Sequence, residues 1–365
     1  MGESAAMRIA LVRRRSEPGG GWQLAVWLAD ERWLLLEPAR QWLLADDPRR
    51  GHNSALFRQP ITTLDRFLAE GRGRIESLAA LVEPLAARPD ALEADGEGEA
   101  APLVEEASGL HFGPPVLSPP TFRDFYAFER HVATMWRRRD AQVPEAWYRL
   151  PIFYYSNTSE IRGPGEAVWA PRGSSELDYE LEVAAVVDTP GVDRDPSDAE
   201  ELIGGYTILN DWSARDLQRD ETTVRLGPAK GKDFASSIGP WLTTPDELAD
   251  VRSGKGYDLA MTARVNDLET SRGTWADAHF SFGEMLARAS ADVRLRAGDL
   301  IGSGTVGGGC LLEVRDETLG RYLEPGDSVT LAVDRLGELS APVVERPSTR
   351  RAADTTSPRG ATAWR

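Results

Sequence analysis

Glu180 and Glu182 stand two residues apart in the run Leu177-Asp178-Tyr179-Glu180-Leu181-Glu182-Val183. Residues two apart on a strand share a face, so this spacing presents paired carboxylates. Like charges held that close repel unless a cation lies between them or one takes up a proton. Spacing alone favours a solvent-facing edge with two ordinary glutamates. A second stretch, Asn210-Asp211-Trp212-Ser213-Ala214-Arg215-Asp216-Leu217-Gln218, follows the apolar run 206–209. Asp211 then sits at a strand end. Ser213 can cap a helix that puts Arg215 and Gln218 on one face. A carboxylate beside two polar donors suits a metal and oxyanion site, and equally an ordinary helix start. In the third stretch, Thr121 and Asp124 have capping-box spacing, and Phe122, Phe125, Phe128 and Val132 make an apolar helical stripe. His131 is one of 4 histidines, so bases that titrate near neutrality are few.

Residues 302–307 match GxGxxG. The segment that follows, 310–315, reads as a strand, so no helix N-terminus is offered to a pyrophosphate, and a dinucleotide reading is rejected. The glycines fit either a close backbone approach or a plain turn. The chain has no zinc-ligand spacing, no phosphate loop and no GxSxG elbow.

These groups must be positioned by a strand-dominated framework. Residues 7–13, 22–28 and 32–37 read as a small β meander, followed by helical patterns at 64–68 and 75–85. The Ala-, Gly- and Glu-rich stretch 89–107 reads as a solvated linker. Beyond Pro119-Pro120, strands are expected at 181–188, 206–210, 257–266, 299–303, 310–315 and 328–334. Helices are expected at 122–138, 214–219 and 282–289. Without regular strand–helix alternation, a doubly wound parallel sheet is disfavoured. The domain plan is a β-rich region at 1–88, an acidic linker at 89–117, a catalytic domain at 118–345 and a disordered tail at 346–365.

The net charge of -16 opposes non-specific binding to nucleic acid or anionic membrane, which needs a basic surface. One cysteine, Cys310, allows no internal disulfide. No secretory pattern opens the chain and no run is long enough for a membrane helix. A cytoplasmic enzyme or binding protein fits these features.

In order along the chain stand Asp124-Phe-Tyr126 with His131, then Leu-Asp-Tyr-Glu180-Leu-Glu182, then Asn-Asp211-Trp-Ser-Ala-Arg215-Asp-Leu-Gln218. Leu226-Gly-Pro-Ala-Lys-Gly-Lys232, Ser237-Ile-Gly-Pro-Trp241 and Ser303-Gly-Thr305 with Glu313 follow. Together these motifs, across about residues 119–334, resemble the fumarylacetoacetate hydrolase family. The resemblance implies an α+β fold, a mixed β-roll catalytic domain behind a small N-terminal β-rich domain, usually dimeric. It implies Mg²⁺, Mn²⁺ or Ca²⁺ held by Asp124, Glu180, Glu182 and Asp211, in line with the preference of all-oxygen sites for hard cations. It further implies His131 as base, Glu313 as its orienting carboxylate, and Tyr126, Arg215, Gln218, Lys232 and Thr305 as substrate or oxyanion contacts. The implied activity is hydrolytic C–C cleavage of a small 1,3-dioxo acid, with an oxo-acid decarboxylase, tautomerase or hydratase as the alternative. A non-catalytic metal-binding homologue is a third reading. The sequence departs from the name-giving enzyme at Asp140, where an arginine is expected, at Thr222 and Thr223, where a tyrosine is expected, and at Gly307-Gly308-Gly309.

Overall fold

The structure is a computed structural model and describes residues 6–71, 74–88, 92 and 102–348. Strands β1 (Arg8–Arg14), β2 (Gln23–Ala29) and β3 (Arg32–Leu35) form the antiparallel meander that the turn residues imply. Their alternation is two-sided: Ile9 and Leu11 enter one core, Ala10 and Val12 another. The apolar run at 32–37 stops being a strand at Leu35, because Leu36–Asp46 turns into a helix that buries Leu36, Ala39 and Leu43. The helical patterns that follow become a helix at Leu64–Ala69, a 3₁₀ turn at Ile75–Leu78 and a helix at Ala79–Ala86.

Most of 89–101 lies outside the described residues. The rest of the stretch expected to be linker is sheet: β4 (Val104–Glu106) pairs with β3, and β5 (Leu110–Gly113) pairs with β1. Leu110 is fully buried, so the charged composition upstream hid an apolar strand. Of the expected disordered tail, 349–365 lies outside the described residues.

The following strands are β6 (Phe122–Phe125), β7 (Phe153–Tyr155), β8 (Ile161–Arg162), β9 (Leu177–Asp178), β10 (Leu181–Val187), β11 (Ile203–Asp211), β12 (Ser213–Ala214) and β13 (Ser236–Thr243). After them come β14 (Arg252–Ser253), β15 (Gly256–Tyr257), β16 (Ala260–Val265), β17 (Leu268–Thr274), β18 (Leu300–Gly302), β19 (Ser328–Val333) and β20 (Gly337–Pro342). One mixed sheet runs β4-β3-β2-β1-β13-β11-β10-β18-β6-β7, with β5 on β1 and β8 on β13. The pairing of β1 with β13 joins the leading region to the rest, and Ile9, Leu43 and Phe67 share a core with Ala184, Val186 and Leu209.

A four-stranded sheet, β17-β16-β19-β20, covers the opposite face of the large sheet. In β19, Val329, Leu331 and Val333 alternate inward and share a core with Leu181, Val183 and Ala185. Strand β10 is therefore buried on both faces, as a near-continuous apolar run requires. The expected helix over 122–138 divides. Residues 122–125 form β6, paired in parallel with β18, and only Glu129–Arg137 is helical. Asp124 is thus a strand residue, not a helix cap.

Candidate active site

Glu182 interrupts the apolar β10 at no solvent exposure, on the face it shares with Ala184 and Val186. Its neighbours across the sheet explain why it is there. Register places Gly302 of β18 between Ala184 and Asp124, and Tyr154 of β7 opposite Asp124. Asp211 ends β11, where Leu209 stands opposite Glu182. Oxygens of Asp124, Glu182 and Asp211 all lie within 4.8 Å of one another. Burial first, then the Asp211 charge, pushes the Asp124 carboxyl well above the usual range; burial and then Asp124 do the same to Glu182. Burial also raises Asp211, against the pull of Lys232.

Asp124 Oδ1 and Asp211 Oδ1 are buried without a hydrogen-bond partner. Buried acceptors are seldom left unpaired. Clustered all-oxygen donors with unused lone pairs fit a hard divalent cation. Glu180 lies beside this group but is already engaged. Its Oε1 is 2.8 Å from Arg215 Nη1, and its Oε2 accepts from Lys232 Nζ. Burial pushes the Glu180 carboxyl up, but Lys232 and Arg215 outweigh it and hold it at about 2. Lys232 Nζ also donates to Asp211 Oδ2 at 2.5 Å, so the ammonium bridges the two carboxylates.

His131 lies in the first turns of the helix Glu129–Arg137, and its Nδ1 is 2.5 Å from Glu313 Oε1. The other Glu313 oxygen accepts from Gly308 N–H at 3.1 Å. Tyr126 packs edge-on against the His131 ring, with centroids 5.3 Å apart. Glu313 comes from Leu311–Val314, one short helix where the sequence pattern predicts a strand. Its start is set by Asp178, whose two oxygens accept Leu311 N–H and Leu312 N–H at 2.8 and 2.9 Å. These long-range bonds satisfy N–H groups at the helix start and outweigh the β propensity of the Cys-Leu-Leu run.

Asp178 Oδ2 also accepts Arg215 Nε at 2.8 Å, and Arg215 Nη1 donates to Gln218 Oε1 at 3.1 Å. The i, i+3 pairing of Arg215 and Gln218 is therefore present. Ser213 does not cap their helix; its hydroxyl donates to the Asp211 carbonyl, and the cap position is Ala214 with no side-chain bond. Thr305 Oγ1 lies 3.4 Å from Glu182 Oε1, and Gly304 N–H donates to Glu182 Oε2 at 2.9 Å. The Gly-rich run thus cradles carboxylates with its backbone, at Gly304 with φ of 77°.

Two residues of this centre carried no sequence signal. Tyr154 donates to Asp211 Oδ2 at 2.5 Å from the middle of β7, a strand too short to show a pattern. Asp178 stands in the run before the Glu-x-Glu pair, where spacing assigns it no role. The divergent positions Thr222 and Thr223 end the helix Arg215–Thr223 at the surface.

The family model for the fumarylacetoacetate (FAA) hydrolase C-terminal domain matches residues 121–344. Fumarylacetoacetase of Arabidopsis thaliana is 28% identical over 335 residues, covering 76% of this chain and 79% of the relative. The crystal structure of a "probable 2-hydroxyhepta-2,4-diene-1,7-dioate isomerase" from Mycobacterium abscessus aligns with a TM-score of 0.59 at 25% identity, over 94% of this chain and 100% of that one. Maleylpyruvate hydrolase from Sphingobium sp. SYK-6, solved with manganese(II) and pyruvate, shares the fold with a TM-score of 0.60 at 20% identity, over 93% and 99%.

Proposed function

The chain belongs to the fumarylacetoacetate hydrolase family, and on that premise we propose that it is a divalent-metal-dependent hydrolase that cleaves a C–C bond of a small 1,3-dioxo acid. The observation that carries this reading is the buried His131–Glu313 pair beside a carboxylate cluster with unpaired oxygens.

Asp124, Glu180, Glu182 and Asp211 are the residues that would hold the cation, Mg²⁺, Mn²⁺ or Ca²⁺. When bound, it supplies a Lewis acid that polarises a substrate oxygen. Glu313 accepts a hydrogen bond from His131 Nδ1–H, the tautomer that leaves the Nε2 lone pair free. His131 Nε2 takes a proton from water, and the resulting hydroxide attacks a carbonyl carbon. Lys232 and Arg215 bring permanent positive charge to the developing oxyanion. Gln218 spends its carbonyl oxygen on Arg215, so its amide N–H groups remain to donate. Tyr126 and Thr305 border the cluster and serve as substrate contacts.

No helix among the described residues is long and apolar enough to cross a membrane. The edge strand β7 carries Tyr155 at 61% exposure, with Ile152 and Tyr148 exposed nearby. A homodimer in which a second copy of the chain covers this edge is part of the proposal.

The test is turnover with Mg²⁺ or Mn²⁺ of acylpyruvates, fumarylacetoacetate and oxaloacetate. Chelator-sensitive cleavage of a dioxo acid is the result predicted. Turnover of oxaloacetate alone would move the assignment to the decarboxylase or tautomerase class.

A further inference from the structure

Cys310 is the chain's one cysteine and plays no part in the hydrolysis described above. It is fully buried beside the His131–Glu313 pair. Its Sγ lies 3.7 Å from Glu313 Oε1, the oxygen that also meets His131 Nδ1. Nitrogen, sulfur and oxygen ligand atoms from the three residues fall within 4.8 Å of one another. The donor set differs in kind from the neighbouring all-oxygen cluster. Thiolate and imidazole favour Zn²⁺ and its softer relatives, while carboxylates favour Mg²⁺, Mn²⁺ and Ca²⁺.

We propose that His131, Cys310 and Glu313 form a second metal site, selective for Zn²⁺ or Cd²⁺, whose occupation switches off the histidine. The spacing suits zinc. At tetrahedral angles, Zn–S of about 2.3 Å and Zn–O of about 2.1 Å place sulfur and oxygen about 3.6 Å apart. The observed separation is 3.7 Å. The Nδ1–Oε1 pair must open by about 1 Å to reach the corresponding edge. Gly308 N–H holds the other Glu313 oxygen and can keep the carboxylate in place. Burial pushes the Cys310 thiol well above its ordinary value, Arg215 opposes this, and Asp178, Glu313 and Glu180 add to it, so the thiol carries its proton until a metal displaces it.

The proton balance explains the inhibition. On metal binding the thiol releases its proton to solvent and sulfur forms the metal bond. The Nδ1 lone pair also goes to the metal, so the ring proton moves to Nε2. Nε2 then has no lone pair with which to take a proton from water. This step rests on the hydrolase reading; the binding site does not.

The experiment uses the full chain loaded with Mg²⁺. Cd²⁺ titration should give the ultraviolet cadmium–thiolate charge-transfer band with one-to-one stoichiometry. The band should vanish in Cys310→Ser and in Cys310→Ala, while both variants keep their Mg²⁺-supported turnover. Zn²⁺ should inhibit the wild type at concentrations at least about tenfold below those needed for either variant, with no relief by excess Mg²⁺. No band in the wild type, or equal zinc sensitivity in all three proteins, would overturn the site. Relief by Mg²⁺ would place zinc at the carboxylates and overturn it too. A band without inhibition would support the site and count instead against the water-activating role of His131.

Discussion

The carboxylate of Asp124 occupies the space that a side chain at Gly302 would fill. A Cβ at 302 would stand 2.3 Å from Asp124 Oδ1. The two residues are register partners on adjacent parallel strands, so neither can step aside without disturbing the sheet. Gly302→Ala is therefore expected to turn the Asp124 carboxylate away, at an overpacking cost of about 1–3 kcal/mol. Thermal melts should show a smaller Mg²⁺-induced rise in Tm than wild type. A wild-type increment in this variant would detach Asp124 from the metal.

Asp178 ties Arg215 to the short helix bearing Glu313. Asp178→Asn keeps the volume but removes the charge that faces a buried guanidinium. Breaking such a pair costs about 3–5 kcal/mol. The variant should melt lower and lose kcat more than it gains KM, because both the oxyanion arginine and the histidine's partner shift. Unchanged kcat in a folded Asp178→Asn protein would show that neither is positioned this way.

The raised carboxyls set a pH dependence. Asp124, Glu182 and Asp211 bind protons more tightly in the folded, metal-free chain than in the unfolded one. Their contribution is full below the ordinary carboxylate range and is lost as pH rises through the raised values. Glu180, held at about 2, contributes the opposite way and loses its share only as pH falls below its ordinary 4.5. In chelator, Tm should decline as pH rises from about 5 to 8, while millimolar Mg²⁺ should add progressively more over the same span. A metal increment independent of pH would mean that protons and cation do not compete for these groups.

Spacing marks Glu180, Glu182, Asp211, Arg215 and Gln218 as candidates, and the family resemblance supplies their roles. Glu182 in β10, Asp211 at the end of β11, and Arg215 with Gln218 on one helix lie within single elements, where local periodicity speaks, while Glu180 stands just before β10. Asp124 misled because Phe122, Phe125 and Phe128 mimic a helical stripe; its strand conformation comes from pairing with Leu300–Gly302, far away in sequence. The His131–Glu313 partnership spans 182 residues and was available only through the family resemblance. Tyr154 and Asp178 gave no pattern, since their roles depend on partners brought together by the sheet.

The shared sheet makes a claim about the leading region. Strand β1 lies between β2 and β13, and its removal would bare the β13 edge and one side of a core. A fragment of residues 118–348 should therefore be insoluble or melt well below the full chain. A soluble fragment with the melting temperature of the full chain would establish residues 1–117 as an independent appendage.

The central claim is that His131 activates water next to a bound cation. Turnover of an acylpyruvate by His131→Ala measures it most directly, with Mg²⁺-induced stabilisation recorded on the same sample. Loss of a general base typically costs about 10²–10⁴ in rate. The account predicts a fall of that size with the metal-dependent rise in Tm intact, because the ligands are carboxylates. Full cleavage activity in His131→Ala would contradict it.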